Sequence, residues 1–461
     1  MKQTKKNFLF SNFNAEISNK RILKTELKPE SIYNLTTANG TIEPLLGFID
    51  FFKDYFPLND YQVFISKNQE LIDVLIHATI YEYNNSENNV FEKRIFVIDK
   101  NYYLYELDTV SLEINSLNVS FKTFPNIINQ NGKLYIFSSE SNFVLIENNY
   151  SPICLTAMPE LTNICNNSLN TYFTVSGEYF KVYYTEQTEI ENLSDEIETY
   201  DYISLNPDGG LILKLLSYNG NIYIVQQYSI SKIHTSSKAV YSQNTCAIKS
   251  KIHQDTICLI DDYIVFLSSA GLFVFDGNDI KQIFGNVTKN LCGEKFIALS
   301  HNNKYYLATN IYINETSQRV LLEFDIDKNI CNIYGFGNVI DLYEIKTFNC
   351  YELAAIIIDD HKNIILKQNN KKLTSQTKYI KFNKISFDDN LSKILNHIKL
   401  SCYGIFNLKI SSEIDSITFS AGDNFEAGNI GLKGHYFTIE IFSDEIFYIE
   451  SIYLGINFVE E

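Results

Sequence analysis

The residue types that most often carry enzyme chemistry are spread along this chain without the spacings that such chemistry needs. Metal ions need clustered His, Cys or carboxylate ligands. The histidines stand alone at His77, His234, His253, His301, His361, His397 and His435. Glycine-rich phosphate-binding strings and the Gly-x-Ser-x-Gly elbow of serine hydrolases do not occur in the sequence. We therefore predict no metal site, no cofactor and no enzymatic activity.

Two pairs of adjacent carboxylates are the strongest enzymatic candidates. Asp261-Asp262 and Asp359-Asp360 stand at the ends of predicted strands. A propeller glycosidase would use one such group to donate a proton and another to attack or to activate water. Adjacent side chains on a strand point to opposite faces, however, and acidic pairs are common in turns. The sialidase-type Asp box also requires a Trp, which the chain lacks. We interpret both pairs as turn residues.

The charge balance and the cysteines limit the compartment and the partners. The 461 residues include 38 Lys and Arg against 55 Asp and Glu, a formal net charge of -17 at pH 7, which argues against general nucleic-acid or membrane-surface binding. No apolar run approaches the roughly 20 residues of a membrane helix, and the first one is too short for a signal peptide. The eight cysteines form no Cys-x-x-Cys pair. We expect a soluble protein, made in a cytoplasm, with reduced core cysteines.

The clearest structural signal is the stretch from Asp261 to Phe284. Two apolar runs, 263–267 and 272–275, are joined by a small-residue turn that contains Gly271, and Asp276-Gly277 precedes a third run. Gly tolerates positive φ, and Asp bonds its own backbone just downstream, so both turns suit hairpins. The first two runs are apolar at nearly every position, which indicates a sheet covered on both faces. The stretch predicts a three-stranded antiparallel meander between neighbouring sheets.

Similar strings of strand-forming residues after polar turns recur along the chain. Successive copies start roughly 40 to 47 residues apart, which is the period of four-stranded propeller blades. A sandwich or jelly roll is the competing architecture, but an even repeat of near-continuous apolar strands favours radial blades. We therefore predict an all-β fold, a β-propeller of about six or seven blades with a β-rich C-terminal extension. The copies begin at Glu92, Asn131, Ser176, Asn219, Asp261, Asn302 and Asn349.

The repeat divides the chain into three predicted parts. Residues 1–57 are an N-terminal arm with first strands, and 58–386 are the β-propeller. Residues 387–461 alternate apolar and polar side chains, which suits either a last blade or a small β-sandwich. Helical patterns are almost absent. The best candidate is Asp389 to Ile398, which could equally be a strand edge.

Two segments of the sequence are each rich in charges of a single sign, one basic and one acidic. Both could simply be loops whose charged side chains face the solvent. The alternative is that they are complementary contact patches on neighbouring subunits, or a basic surface that faces an acidic partner, where charge sets orientation and register. The basic segment contains no acidic residue from His361 to Phe387, and its lysines are Lys362, Lys367, Lys371, Lys372, Lys378, Lys381 and Lys384. The acidic segment is carried by Glu186, Glu189, Glu191, Asp195, Glu196 and Glu198, followed by Asp201.

Three stretches resemble β-propeller tail proteins of short-tailed bacteriophages. The string VFLSSAGLFVFDGNDIKQI, Val265 to Ile283, is similar to their strand, small-residue turn, strand and Asp-Gly signature. Asn39-Gly40 with Glu43-Pro44 and Gly47 resembles their N-terminal start, and the string GHYFTIEIFSDEIFYIESIYLGINF from Gly434 resembles their closing strands. The three stretches cover the start, middle and end of the chain in the right order.

This resemblance implies a structural role in a virion. Nozzle or packaged-DNA-stabilisation proteins would form a ring, of six subunits, below the portal and adaptor, and the genome would leave through it without sequence-specific binding. No catalytic residue is carried over from those families. The expected location is the virion tail, without a membrane. The alternative hypothesis is a carbohydrate-binding or carbohydrate-active β-propeller on a cell surface, in which Tyr or Phe would have to replace Trp as the sugar platform.

Overall fold

The computed structural model describes most of the chain and consists largely of antiparallel β-strands. Five strands and two helices stand at the N-terminal end of its described part. They are β1 (Gln3–Ser11), β2 (Pro29–Tyr33), β3 (Leu35–Thr36), β4 (Glu43–Pro44), β5 (Leu46–Asp50), α1 (Phe51–Tyr55) and α2 (Leu58–Ile72). The described residues are 3–11, 29–37, 39–85, 90–130, 132–139, 141–156, 158–167, 169–186, 189–218, 220–235, 240–313, 316–335, 338–346, 351–374, 376–386 and 391–459.

The next three groups of strands form three separate four-stranded antiparallel sheets, which we call blades 1 to 3. Blade 1 contains β6 (Leu75–Asn85), β7 (Val90–Asp99), β8 (Tyr103–Asp108) and β9 (Glu113–Ser120). Blade 2 contains β10 (Asn126–Gln130), β11 (Lys133–Phe137), β12 (Phe143–Glu147) and β13 (Ile153–Leu155). Blade 3 contains β14 (Leu161–Asn166), β15 (Thr171–Val175), β16 (Lys181–Thr185) and β17 (Asp201–Ser204).

Blades 4 to 6 repeat the same plan. Blade 4 contains β18 (Ile212–Tyr218), β19 (Asn221–Gln226), β20 (Ser229–Thr235) and β21 (Val240–Ala247). Blade 5 contains β22 (Cys258–Ile260), β23 (Tyr263–Ser268), β24 (Gly271–Phe275) and β25 (Ile280–Ile283), followed by the short helix α3 (Gly285–Thr288). Blade 6 contains β26 (Leu291–His301), β27 (Lys304–Ile313), β28 (Thr316–Asp325) and β29 (Ile330–Tyr334).

Blade 7 is completed by a strand from the N-terminal end of the chain. It contains β30 (Val339–Lys346), β31 (Tyr351–Asp359) and β32 (Lys362–Lys372), and β5 is its fourth strand. In the register of that pair, Phe48 lies opposite Gln368 and Ile49 opposite Lys367. The helices α1 and α2 then lead from this outer strand to β6 of blade 1. The predicted N-terminal arm therefore contributes a blade strand.

Buried apolar clusters show that the blades close into a ring. Among the described residues, seven clusters lie between consecutive blades. One joins Phe96 of blade 1 to Ile136 of blade 2, and another joins Ile356 of blade 7 back to Ile95 of blade 1. Each sheet is thus covered on both faces, as the apolar meander requires. The prediction of a β-propeller with about six or seven blades is confirmed, and the blade number is seven.

The remaining strands form a β-sandwich with its own core. They are β33 (Lys378–Phe382), β34 (Ser392–Tyr403), β35 (Phe406–Ser411), β36 (Ser416–Ala421), β37 (Glu426–Gly434), β38 (Thr438–Ser443) and β39 (Tyr448–Val459). One sheet has the order β1-β39-β34-β37 and the other β2-β33-β38-β35-β36. Leu400 and Ile456 of the first sheet pack in the same core as Leu408 and Ile441 of the second. Of the two predicted forms of the C-terminal part, the sandwich is the one present.

The boundaries of the parts differ from the predicted ones. The sandwich begins at Lys378, inside the segment assigned to the propeller, and takes β1 and β2 from the N-terminal arm. The candidate helix from Asp389 to Ile398 is also different, since Ser392–Tyr403 is a strand, while 389 and 390 lie outside the described residues. A β-bulge at Leu395 and His397 explains the helical pattern, because it inserts an extra residue and sets buried Leu395 and Ile398 three apart.

Helix α2 was not predicted. It begins after Pro57 and buries Phe64 and Asn68 on one face. The amide of Asn68 donates hydrogen bonds to the carbonyl oxygens of Phe64 (2.8 Å) and Leu112 (2.9 Å), which attaches the helix to blade 1. The available signal was a proline followed by a first turn containing Asp60, which suits a helix start.

Candidate functional site at the junction of propeller and sandwich

Asn34 connects blade 6 to the sandwich. Its backbone N–H donates to the carbonyl oxygen of Ile333 (2.8 Å), and its side-chain Oδ1 accepts a hydrogen bond from the N–H of Gly335 (2.8 Å). Its Nδ2 donates to the carbonyl oxygen of Thr377 (2.8 Å), just before β33. The residue has a φ of 57°, a conformation that Asn tolerates better than most side chains. One side chain therefore fixes three segments relative to one another.

A cavity of about 770 Å³ lies beside this connection. Its wall includes Tyr33 of β2 and Arg319 of β28, together with Gln376 and Tyr379 around the start of β33. The other lining residues are mostly polar, with hydroxyl and amide groups such as that of Asn338. Cavities between structural units are common places for ligand sites. This cavity is consequently our candidate functional site.

Arg319 is held firmly at the cavity wall, but its charge is not paired. Its Nε donates to the carbonyl oxygen of Val339 (2.7 Å), and its Nη1 donates to the carbonyl oxygen of Lys295 (2.9 Å) and to Oδ1 of Asn310 (3.2 Å). Within the described part of the chain, Nη2 has no hydrogen-bond partner and the guanidinium forms no ion pair with a carboxylate. Burial lowers the pKa of Arg319 from its ordinary value, which reflects the cost of keeping this charge away from water.

Arg94 is an arginine of the same protein whose guanidinium is paired with a carboxylate, and it serves as a comparison for Arg319. Its Nε and Nη2 donate to the two carboxylate oxygens of Glu106 at 2.6 and 2.9 Å. Such paired N–H groups match the geometry of a carboxylate. The remaining arginine of the chain, Arg21, lies outside the described residues. Arg319, in the cavity wall, therefore has an unused donor group of the kind that Arg94 uses on a carboxylate.

Two further residues of the cavity wall have buried polar atoms without a partner. The hydroxyl of Tyr33 and Oε1 of Gln376 form no hydrogen bond within the described chain. Burial raises the pKa of Tyr33, with a further contribution from nearby Tyr379, so its phenol remains a neutral donor. The ring centroids of these two tyrosines are 6.1 Å apart. The site can thus donate from Arg319 and Tyr33 and accept at Gln376, which suits the binding of a polar ligand.

The lysines of the basic segment are divided between blade 7 and the sandwich. Lys362 forms an ion pair with Asp73 (2.9 Å), Lys367 with Asp54 (2.7 Å) and Glu352 (3.0 Å), and Lys372 with Glu43 (3.0 Å). Lys371 and Lys384 are exposed, and the ammonium of Lys384 lies 4.5 Å from the ring centroid of Tyr436. Lys381 is half-buried in β33. These contacts leave Lys371 and Lys384 as the lysines best placed to meet a partner.

Lys378 is fully buried. Its ammonium donates to the carbonyl oxygens of Gln376 (2.8 Å) and Asp444 (2.9 Å), and burial lowers its pKa. Because buried cations must be satisfied by hydrogen bonds, these two carbonyls explain how the lysine is tolerated. Its visible role is to join the start of β33 to the turn after β38.

The acidic segment occupies the connection between β16 and β17 of blade 3. Its exposed members are Glu186, Glu189, Asp195, Glu196 and Glu198. Glu191 is different, because it is bound by the ammonium of Lys133 and the hydroxyl of Tyr135 in blade 2. The structure therefore places the acidic and basic segments on different blades and does not bring them together within one subunit.

The two acidic pairs occupy turns in different blades. Asp261 and Asp262 lie between β22 and β23, where Asp261 has a φ of 42° and Asp262 accepts a hydrogen bond of 2.5 Å from Tyr218. Asp359 ends β31, and Asp360, with a φ of 44°, lies in the turn to β32. Neither pair faces the other across a shared site, as paired glycosidase carboxylates would.

Other groups with potential chemistry are dispersed. The described residues contain no cluster of three or more His, Cys, Asp or Glu that could hold a metal ion. The seven described cysteines are unpaired, with Cys258, Cys331 and Cys402 buried and Cys154 exposed, while Cys350 lies outside the described residues. Across the described ranges, no helix is both long and apolar enough to span a membrane.

Comparison with known proteins gives only distant structural similarities. No family model and no curated protein matches the chain. Among solved structures, it is similar to YCF48 bound to D1 peptide, with 10% identity, a TM-score of 0.40, and coverage of 65% of this chain and 93% of that one. It is also similar to Hsv2 of Kluyvelomyces marxianus, with 7% identity, a TM-score of 0.31, and coverage of 57% and 96%. The protein is a seven-bladed β-propeller with an attached β-sandwich.

Proposed function

We propose that this chain is a structural protein of a bacteriophage tail, one subunit of a ring that surrounds the DNA exit channel as a nozzle or plug. In this role it helps to retain the packaged genome. Its partners are further copies of itself, in a ring of six, and the portal, adaptor or other tail proteins. The sequence resemblance around Val265 to Ile283 supports this class, and those residues form most of β23 and all of β24 and β25 in blade 5.

The structural observation that carries the proposal is the double use of the N-terminal segment. Strand β5 closes blade 7, and β1 pairs with β39 from Gln3 opposite Val459 to Ser11 opposite Ser451. Both units are therefore tied by hydrogen bonds between segments that are far apart in sequence. Such ties suit a protein that must keep its shape under the pressure of a packaged genome.

The charge distribution agrees with a channel wall and with contacts between subunits. A net charge of -17 repels phosphate, so DNA would slide past the protein instead of binding to it. The acidic segment lies on blade 3. Lys371 lies on blade 7, which is three blades away in the shorter direction around the ring, and Lys384 lies on the sandwich. Patches of opposite charge on distant sides of one subunit suit the head-to-tail contacts of a cyclic oligomer.

Electron microscopy of particles from the source tests this proposal. We expect density for the propeller and sandwich in a ring around an axial channel of the tail, and peptides of the chain in purified virions. Virions that lack the chain, or a purified protein that remains a monomer at every concentration, would contradict the proposal.

The carbohydrate-binding alternative is favoured by one observation, the polar junction cavity with Tyr33 and Tyr379 in its wall. Hydroxyl and amide groups beside aromatic rings are suitable for sugars. A glycan array probed with the purified protein separates the two functions. Strong, selective glycan binding by a monomer would favour the alternative, and its absence together with ring formation would favour the tail protein.

A further inference from the structure

Three side-chain polar atoms of residues in the wall of the junction cavity are buried and have no hydrogen-bond partner within the described chain. They are Nη2 of Arg319, the hydroxyl of Tyr33 and Oε1 of Gln376, out of five such side-chain atoms among the described residues. Buried polar atoms are normally hydrogen-bonded, so three exceptions around one cavity require an explanation. They come from blade 6, from a sandwich strand and from the segment between propeller and sandwich, so three separate parts of the chain contribute to the same site.

We propose that this cavity binds a carboxylate group that has a hydrogen-bond donor beside it. Arg319 has five N–H donors, of which the three contacts to Val339, Lys295 and Asn310 use only those on Nε and Nη1. The donors on Nη2 are left for a ligand, and the hydroxyl of Tyr33 can donate as well. The ligand's own N–H or O–H can then donate to Oε1 of Gln376.

The charge of the site favours a carboxylate over a phosphate. Arg319 is the only cationic side chain in the cavity wall among the described residues. The nearby ammonium of Lys378 is already directed to the carbonyl oxygens of Gln376 and Asp444. One guanidinium balances a singly charged carboxylate, whereas a phosphate dianion would keep uncompensated charge in a protein that is already strongly acidic.

Binding must involve a small rearrangement of the wall. The three unpartnered atoms are covered by neighbouring protein atoms, so a ligand has to displace a side chain to reach them. Gln376 is the natural candidate, because it precedes β33 in the segment that connects the propeller to the sandwich. A bound carboxylate would thereby also strengthen the connection between the two units.

Two sources of this ligand chemistry can be distinguished with small probes. N-acetylglycine has the carboxylate and N–H of a peptide C-terminus, and glucuronic acid has the carboxylate and hydroxyls of an acidic sugar. The methyl ester of N-acetylglycine keeps the N–H but removes the charge. We expect calorimetric titration of the full chain to detect one of the two acids and no binding of the ester. The acid that binds more tightly identifies the source.

Variants connect such binding to the cavity. Because hydrogen bonds to charged groups are strong, Arg319→Gln should weaken binding at least about tenfold. Arg319→Lys keeps the positive charge but lacks the paired N–H groups of the guanidinium, so it should weaken binding by an intermediate amount. Tyr33→Phe, which keeps the packed ring, should weaken binding about threefold to tenfold if the hydroxyl donates to the ligand. Lys281→Gln is the matched control, since it removes one exposed positive charge from blade 5.

Melting temperatures accompany each titration, because Arg319 also supports the fold. If Arg319→Gln does not fold, Tyr33→Phe and Arg319→Lys still decide the outcome. Failure of both acids to bind the wild-type chain at millimolar concentration would overturn the proposal. The junction cavity would then hold only water. Unchanged affinity in Tyr33→Phe and in either folded Arg319 variant would overturn it equally.

Discussion

Glu323 and Lys304 form an ion pair of 2.8 Å inside blade 6, where the carboxylate of Glu323 is almost completely buried. The same carboxylate accepts hydrogen bonds from the hydroxyls of Tyr306 (2.9 Å) and Tyr334 (3.2 Å) and from the amide of Asn332 (2.8 Å). One side chain therefore satisfies four donors on the two strands that flank its own, β27 and β29, which makes it important for the stability of this part of the ring.

Glu323→Ala should destabilise the protein strongly, because it leaves these four donors without their acceptor. We expect a loss of about 3 to 5 kcal/mol in the free energy of unfolding, as for other broken buried pairs. Glu113→Ala is the matched control, since Glu113 pairs with Lys67 on the surface and should cost less than about 1 kcal/mol. Urea denaturation of the three proteins measures both effects. Similar losses in the two variants would contradict this role of Glu323.

Asp341 should make stability depend on pH. It lies at a β-bulge of the inner strand β30, and burial raises its pKa to about 6. Because the folded protein holds this proton more tightly than the unfolded chain does, the stabilising contribution is complete below about pH 4 and is lost as the pH rises to about 6. Asp341→Asn cannot ionise and should therefore be more stable than the wild type by about 2 to 3 kcal/mol at pH 7.

Unfolding curves at pH 4 and pH 7 check this prediction. The advantage of Asp341→Asn should disappear at pH 4. Asp276 provides a control of opposite sign, because the N–H groups of Asp279 and Asn278 lower its pKa. Asp276→Asn should consequently lose stability at pH 7 and approach the wild type in acid. An advantage of Asp341→Asn that is equal at both pH values would contradict the assigned ionisation.

Subunit assembly should respond to charge reversal in a reciprocal way. Lys371→Glu with Lys384→Glu, or Glu186→Lys with Glu189→Lys, should each weaken ring formation, because each variant places like charges at the proposed contact. In a mixture of the two variants, the reversed patch of one variant can meet the reversed patch of the other. Opposite charges then face each other again, so the mixture should recover ring formation. Analytical ultracentrifugation at low and high salt measures the effect. Unchanged assembly in both variants would exclude these patches as the subunit contact.

Gly404 should resist substitution more strongly than another glycine with positive φ. It has a φ of 96°, and an added Cβ would lie 2.4 Å from the carbonyl oxygen of Ile446. Gly132 has a φ of 74° but meets no atom within 4 Å. Gly404→Ala combines a collision with backbone strain and should cost more than about 2 kcal/mol, whereas Gly132→Ala should cost about 1 kcal/mol. Equal melting temperatures of the two variants would contradict the prediction.

The repeat was readable from the sequence because one strand in each blade is buried on both faces. Six of the seven recognised copies contain the second strand of their blade, for example β11 from Lys133, β19 from Asn221 and β23 from Tyr263. The copy at Ser176 leads into the third strand of blade 3 instead. Its second strand, Thr171–Val175, contains two threonines, so its burial is less evident from apolar residues alone.

The junction site could not be predicted in the same way. Tyr33, Arg319 and Gln376 are distant in sequence, and they meet because β2 pairs with β33 while Asn34 attaches this pair to blade 6. Such long-range pairing leaves no local periodicity. The single signal in the sequence was the scarcity of arginine, because each of only three arginines could have a specific task. Function as a tail protein remains a prediction from resemblance.

The place of β5 and β1 also determines when the chain can finish folding. Phe48 finds its partner Gln368 only after blade 7 has been synthesised, and Gln3 pairs with Val459 at the far end of the chain. The N-terminal strands therefore lack their pairing partners during synthesis, and the hydrogen-bonding groups at their edges stay unsatisfied while the six preceding blades are made. Closing such long loops late makes folding slow and largely post-translational. A chaperone that shields the first fifty or so residues during synthesis would consequently raise the yield of the native protein.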